Sequence, residues 1–229
     1  MQFTYNDLGC FDACSPRQTI AKGARVVLVA KGDDPAARYR GRVSAPGLVI
    51  EQEGLYCTCY EDGGNGSSSS WSVAASETCY APAVRHCART FTLRADGVGP
   101  ATLEVLGASD EIVDRIGLVV ARPVRLEAVV KASRPSGGTI RTIAASTDGS
   151  FQVDAPARVE LESKAFDEQG NELRKGDGDV TFSTAEAVLA VGGGSHMTTV
   201  RGPVVLHISA TGLGLTKPVV VRGVDAAPR

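Results

Sequence analysis

Ala24-Arg25-Val26-Val27-Leu28-Val29-Ala30-Lys31 reappears later in the chain as Ala157-Arg158-Val159-Glu160-Leu161-Glu162-Ser163-Lys164. In both copies the apolar residues sit two apart, Val26 with Leu28 and Val159 with Leu161, which is the period of a β-strand with one buried face. The second copy alternates cleanly and turns Glu160 and Glu162 outward. Two further landmarks recur in the same order. Gly99-Pro100-Ala101-Thr102-Leu103-Glu104-Val105 matches Gly202-Pro203-Val204-Val205-Leu206-His207-Ile208, and Val119-Val120-Ala121-Arg122 matches Val219-Val220-Val221-Arg222. Three matches in register define a tandem repeat.

Spacing separates the copies. Ala24 lies 75 residues before Gly99, whereas Ala157 lies 45 before Gly202, so the first copy carries 30 additional residues between its early and late strands. That interval holds Cys57, Cys59, Cys79, Cys87, a Gly/Ser tract from Gly63 to Ser70, and the single tryptophan, Trp71. The reading is therefore an all-β chain of two domains, 1–123 and 124–229, the first with a Cys-rich insertion at about 52–90. Strands are predicted at Gln18–Ala30, Arg42–Glu51, Arg89–Ala95, Thr102–Leu106 and Ile116–Ala121 in the first copy. The second copy is predicted to have strands at Arg125–Lys131, Ser150–Ala165, Asp179–Ser183, Val188–Val191, Thr198–Arg201, Val204–Ala210 and Pro218–Arg222. Many short strands punctuated by Gly and Pro point to β-sandwiches.

Composition removes several functions. The 229 residues carry a formal charge of -2 and are 43% hydrophobic. Divided at Val124, the first part has 12 basic and 14 acidic residues and the second 12 and 12. Neither part has the basic excess of a nucleic-acid binder. No run of 18 apolar residues provides a transmembrane segment, and a lipid anchor on the native protein is compatible with that. The opening Met-Gln-Phe-Thr-Tyr-Asn-Asp has neither the basic start nor the apolar stretch of a signal peptide, which alone reads as cytosolic. The cysteines favour an exported chain whose leader has been removed. All six (Cys10, Cys14, Cys57, Cys59, Cys79, Cys87) lie in the first 87 residues, in even number and among turn-rich sequence.

Lys164-Ala165-Phe166-Asp167-Glu168-Gln169-Gly170-Asn171-Glu172-Leu173, followed by Gly178-Asp179-Val180-Thr181-Phe182-Ser183, resembles the bacterial immunoglobulin-like (Big-type) domains of surface and secreted proteins. There a strand ends in Asp, a Gly-Asn turn follows, and the next strand begins Val-Thr-Phe. Gly202 to Ala210 resembles the penultimate strand of the same family. The likeness covers most of residues 124–223 and, through the repeat, the frame of 17–123; the insertion departs from it. It implies two tandem immunoglobulin-like β-sandwiches and a role as spacer, stalk or adhesion module. Such motifs specify fold far better than function.

The candidate sites lie in the insertion. Cys57 and Cys59 are too close to bond each other without strain, so each is expected to reach a more distant cysteine, with 12 of 15 pairings left open. Disulfides are favoured over a zinc site, because Cys79 and Cys87 are too far apart for a usual ligand pair. Trp71, Tyr60, Tyr80 and Tyr56 surround the Gly/Ser tract and form the candidate binding residues, aromatic anchors on a loop. The plainer reading of Trp71 is a small satellite core beneath the insertion. Asp167, Asn171, Asp177 and Asp179 read as turn residues rather than calcium ligands. His86, His196 and His207 lie far apart with no catalytic constellation beside them. No cofactor, metal or catalytic residue is expected. The expected function is a noncatalytic extracytoplasmic stalk or interaction module of a bacterial surface or secreted protein, secreted, periplasmic or an outer-membrane lipoprotein. Its partner would be a protein or a cell-surface glycan, with adhesion through the insertion. The competing reading is a carbohydrate-binding accessory domain or a small hydrolase of a secreted enzyme.

Overall fold

The computed structural model describes residues 2–5, 18–31, 39–62, 68–73, 78–192 and 195–225, and every described element is a strand or a turn. The chain divides into two compact units, one of Met1–Ile20 with Arg25–Val120, the other of Ala21–Ala24 with Ala121–Arg229.

The first unit contains β1 (Gln2–Tyr5), β2 (Ile20–Ala21), β3 (Arg25–Lys31), β4 (Arg40–Val43), β5 (Leu48–Asp62), β6 (Ser68–Val73), β7 (Val84–Ala95), β8 (Gly99–Leu106) and β9 (Ile112–Ala121). One sheet has the order β1-β3-β7-β5-β6 and the other β2-β9-β8-β4. The second unit contains β10 (Arg125–Ser133), β11 (Arg141–Ile143), β12 (Phe151–Ala155), β13 (Ala157–Phe166), β14 (Glu172–Leu173), β15 (Val180–Ser183), β16 (Ala190–Gly192), β17 (Ser195–Val200), β18 (Val204–Gly212) and β19 (Leu215–Asp225). Its sheets run β11-β10-β13-β17-β16, with β14 also on β13, and β12-β19-β18-β15.

Both units share one pattern. In the first unit β1-β3-β7-β5 stand in the order A-B-E-D and β9-β8-β4 in the order G-F-C, and in the second β10-β13-β17-β16 and β19-β18-β15 do the same, which is the arrangement of an immunoglobulin-type sandwich. In the second unit β12 runs parallel to β19 while all the other pairings are antiparallel. The cores follow from period-two alternation. Val26, Leu28, Phe91, Leu93, Leu103, Val105, Leu118 and Val120 are buried in the first unit, and Val130, Val153, Val159, Leu161, Val200, Leu206, Ile208, Val219 and Val221 in the second.

Three strands expected from the sequence prove to be pairs. The stretch 18–30 breaks at the turn around Gly23, with β2 in the sheet of β9 and β3 in the sheet of β7. The stretch 42–51 breaks at Pro46, with β4 on β8 in one sheet and β5 on β7 in the other. The stretch 150–165 breaks at Pro156, where β12 joins β19 and β13 joins β10. Proline has no N–H for the ladder, so a strand can leave one sheet and enter the facing one there while its hydrophobic pattern continues. Residues 108–110 form a turn leading into β9.

Candidate functional site

The additional residues of the first unit form a continuation of its β5–β7 hairpin. The β5–β7 ladder runs from Leu48 opposite Ala95 out to Tyr60 opposite Val84, with one register shift between Ile50 and Gln52. The extra residue is Glu51. Its carboxylate reaches Arg25 Nε at 2.5 Å and Arg94 Nη1 at 2.8 Å. Those two arginines stand directly opposite each other on β3 and β7, and like charges so placed repel. Glu51 between them relieves the repulsion, and the Arg25 hydrogen bond, with both guanidinium charges, holds its carboxyl below the usual range. The bulge marks where β5 turns from sandwich strand into extension. Beyond it β6 pairs along the other side of β5, from Cys57 opposite Val73 to Asp62 opposite Ser68.

The two faces of this ribbon differ. On the inward face Cys57 is directly opposite Cys87 and bonded to it, and Cys59 is bonded to Cys79 in the turn that precedes β7. Cys57 and Cys59 are fully buried. The pairing answers the question the sequence left open for four cysteines, and it leaves none of their thiolates for zinc. Cys10 and Cys14 lie outside the described residues. Arg85 and Arg89 share this face; Arg85 Nη2 approaches Cys57 Sγ at 3.4 Å, and Arg89 Nη2 meets Glu53 at 2.5 Å. Glu53 also accepts the Gly41 N–H at 2.9 Å, which ties the base of the extension to β4.

Outward positions 52, 54, 56, 58 and 60 of β5 and 84, 86, 88, 90 and 92 of β7 hold no Asp, Glu, Lys or Arg, and the same alternation continues to Asp62 on β5 and Arg94 on β7. The intervening positions carry Glu53, Glu61, Arg85 and Arg89. Tyr56 and Tyr60 are 39% and 42% exposed and Val84 is 57% exposed. Thr58 lies between the tyrosines on β5, directly opposite exposed His86. At about 3.3 Å rise per residue the tyrosines stand roughly 13 Å apart along the strand. Gly54 continues the row without a side chain, and a Cβ there would fall 2.9 Å from Thr90 Oγ1.

Of the four aromatic candidates, the structure brings Tyr56 and Tyr60 onto one face. Tyr80 is 84% exposed in the turn beside Cys79, held near β5 by that bridge. The backbone of Trp71 pairs with Cys59 in the β5–β6 ladder. Thr58 and Val84 were not singled out from the sequence, and His86 was read there only as a histidine without catalytic neighbours. The alternation of charged and uncharged positions was there to be read, but only once strand and register were known.

His86 is on the extension, His207 is exposed on β18, and His196 is buried on β17, only 7% exposed. Asp167 has the turn role expected of it, accepting the N–H groups of Gln169 and Asn171 at 3.0 and 2.8 Å. His196 packs edge-on to Phe182 at 5.3 Å and takes the Phe182 N–H on Nε2 at 3.5 Å, while Nδ1 has no hydrogen-bond partner among the described residues. Burial disfavours the imidazolium and pushes its pKa below 6.5. The unfolded chain therefore binds the proton first, and stability is full above pH 6.5 and declines as pH falls below it. Denaturant midpoints of the second unit are expected to drop between pH 7.5 and 5.5, with a slope no steeper than about 1.4 kcal/mol per pH unit. His196→Leu should flatten that decline; an unchanged slope in the variant would place its origin elsewhere. The carboxyls held low, such as Glu51 and Asp167, lose their contributions only in stronger acid.

Strand order and site together define a class: tandem immunoglobulin-type sandwiches, the first bearing a disulfide-bridged hairpin extension. No protein-family model matches the sequence, and no curated protein matches it. Among solved structures, domains 5-6 of the S-layer protein SbsC align over 99% of this chain and 100% of that one, at 12% identity and TM-score 0.33. Yersinia pseudotuberculosis InvD aligns over 98% of this chain and 58% of its own, at 13% identity and TM-score 0.26. Invasin, a bacterial integrin-binding protein, aligns over 96% and 40%, at 15% identity and TM-score 0.25. At these values the likeness adds nothing to what the strand order already establishes.

Proposed function

We propose that the chain is a noncatalytic extracytoplasmic module of a bacterial surface or secreted protein, and that the hairpin extension is its contact surface for a protein or glycan. The observation that carries this reading is the stapled ribbon itself. Two disulfides close an extension on which Tyr56, Tyr60, Val84 and His86 are exposed on one face, and such bridges persist in oxidising compartments. Rigid sandwiches holding a distinctive loop are a common way to present a binding surface. The rest of each unit supplies a scaffold and length.

Tyr56 and Ala88 are directly opposed, so a two-residue Asn-Gly turn can join them in place of residues 57–87. This variant keeps the sandwich cores and loses both bridges, Tyr60, Trp71 and Tyr80. Labelled wild-type protein is expected to be retained on envelopes of the producing bacterium, and the shortened variant, checked for an intact melting transition, is not. Equal retention of the two would remove the extension from the function.

A further inference from the structure

We propose that the uncharged outward face of the extension binds a neutral polysaccharide chain, laid along β5 across Tyr56 and Tyr60 with Thr58 and His86 hydrogen-bonding between them. The inference rests on the reading of the extension as the contact surface and names the chemistry of what it contacts.

Charge is the first observation. Charged residues make up 22% of the chain, yet between Asp62 at the far end of β5 and Arg94 at the sandwich end of β7, five successive outward positions on each strand hold no carboxylate, ammonium or guanidinium. The inward face of the same two strands carries Glu53, Glu61, Arg85 and Arg89, so the segregation belongs to the face and not to the segment. A protein partner of ordinary surface composition would be met by complementary charges at the rim. A neutral sugar polymer requires none.

Shape and hydrogen bonding agree. Sugar rings present a flat C–H face to an aromatic ring and hydroxyls around the edge. Tyr56 and Tyr60 provide two part-exposed rings on one side of a strand, separated by a distance that suits a short oligosaccharide better than a single residue. Between them Thr58 offers a hydroxyl and His86 an imidazole, each able to pair with a sugar hydroxyl. Tyrosine brings large contact area with little rotamer freedom to lose.

The test is native electrophoresis of the full chain in gels cast with glucomannan, xyloglucan or dextran, and with polygalacturonate as the charged comparison. At least one neutral polymer is expected to retard the protein, and polygalacturonate is not. Tyr56→Ala and Tyr60→Ala should each weaken retardation about tenfold, equivalent to about 1.4 kcal/mol. Tyr56→Phe and Tyr60→Phe, which keep the ring, should retain most of it, and intact mass without free thiols confirms that every variant is bridged. Retardation unaffected by loss of the rings overturns the proposal, as does no retardation by any neutral polymer. If envelope retention still depends on the extension while no neutral polymer binds, the ligand chemistry is wrong and the contact surface stands. If both fail, both readings fall.

Discussion

Replacing Cys57, Cys59, Cys79 and Cys87 with alanine, or reducing them, is expected to melt the ribbon beyond Gly54 while both sandwiches stay folded. The bridges span 30 and 20 residues, one nested within the other. In the chain-entropy account the outer loop contributes about 3–4 kcal/mol, and the inner one less because its ends are already held close. A three-stranded ribbon with one face open to water has few other sources of stability. Leu48 to Ile50 pair with Leu93 to Ala95 beside the core and are held independently of the bridges. Hydrogen exchange should therefore show amides 55–60 and 84–88 losing protection on reduction, with 91–95 unchanged. Limited proteolysis should cut the reduced chain between residues 55 and 88. Protection that survives reduction would mean that strand pairing alone holds the extension, and the compartment argument would lose its physical basis.

Phe91→Ala is expected to unfold or nearly unfold the first unit. Phe91 is fully buried in β7 and heads the largest core side chains. Truncating such a ring typically costs about 3–5 kcal/mol. In a unit of this size that corresponds to a fall in Tm on the order of 20 °C. The ring fits because Gly41, on β4 of the facing sheet, has no side chain. A Cβ at Gly41 would lie 2.7 Å from Phe91 Cε1 and 2.7 Å from Ile50 Cδ1. Gly41→Ala should therefore destabilise the wild type, and cost less in a Phe91→Leu background. The coupling in that double-mutant cycle should be about 0.5–3 kcal/mol. Equal costs in the two backgrounds would show that the ring is not what excludes a side chain at position 41. The cycle can be followed by denaturant unfolding, with the transition of the second unit as internal reference.

The two effects bear on different parts of the function. Losing Phe91 removes the scaffold and with it everything the scaffold presents. Losing the bridges leaves the scaffold and removes only the extension, so it separates the proposed contact from stability.

Much of the architecture was legible because its signals are local. Val26 with Leu28, and Val159 with Leu161, announce strands through a period set by the backbone itself, and all four residues are buried. Asp167 through Asn171 announces a turn through side-chain hydrogen bonds that span four residues. The Cys-rich insertion showed as an interruption of a repeat. The proline crossings at Pro46 and Pro156 were not legible as sheet changes, because the apolar pattern runs through them and only the partner strands distinguish one sheet from the other.

Strand period and turn chemistry, which act over a few residues, together with the repeat, were enough to read an all-β chain of two sandwiches with a cysteine-rich departure; the immunoglobulin-like arrangement was what the family resemblance implied, and strand order shows it. The partners of Cys57 and Cys59, the shared face of Tyr56 and Tyr60, and the meeting of Thr58 with His86 needed the register of β5 on β7. Register is a long-range quantity. A slip of one residue moves every side chain to the opposite face, and the pairing that prevents it comes from a strand some thirty residues away.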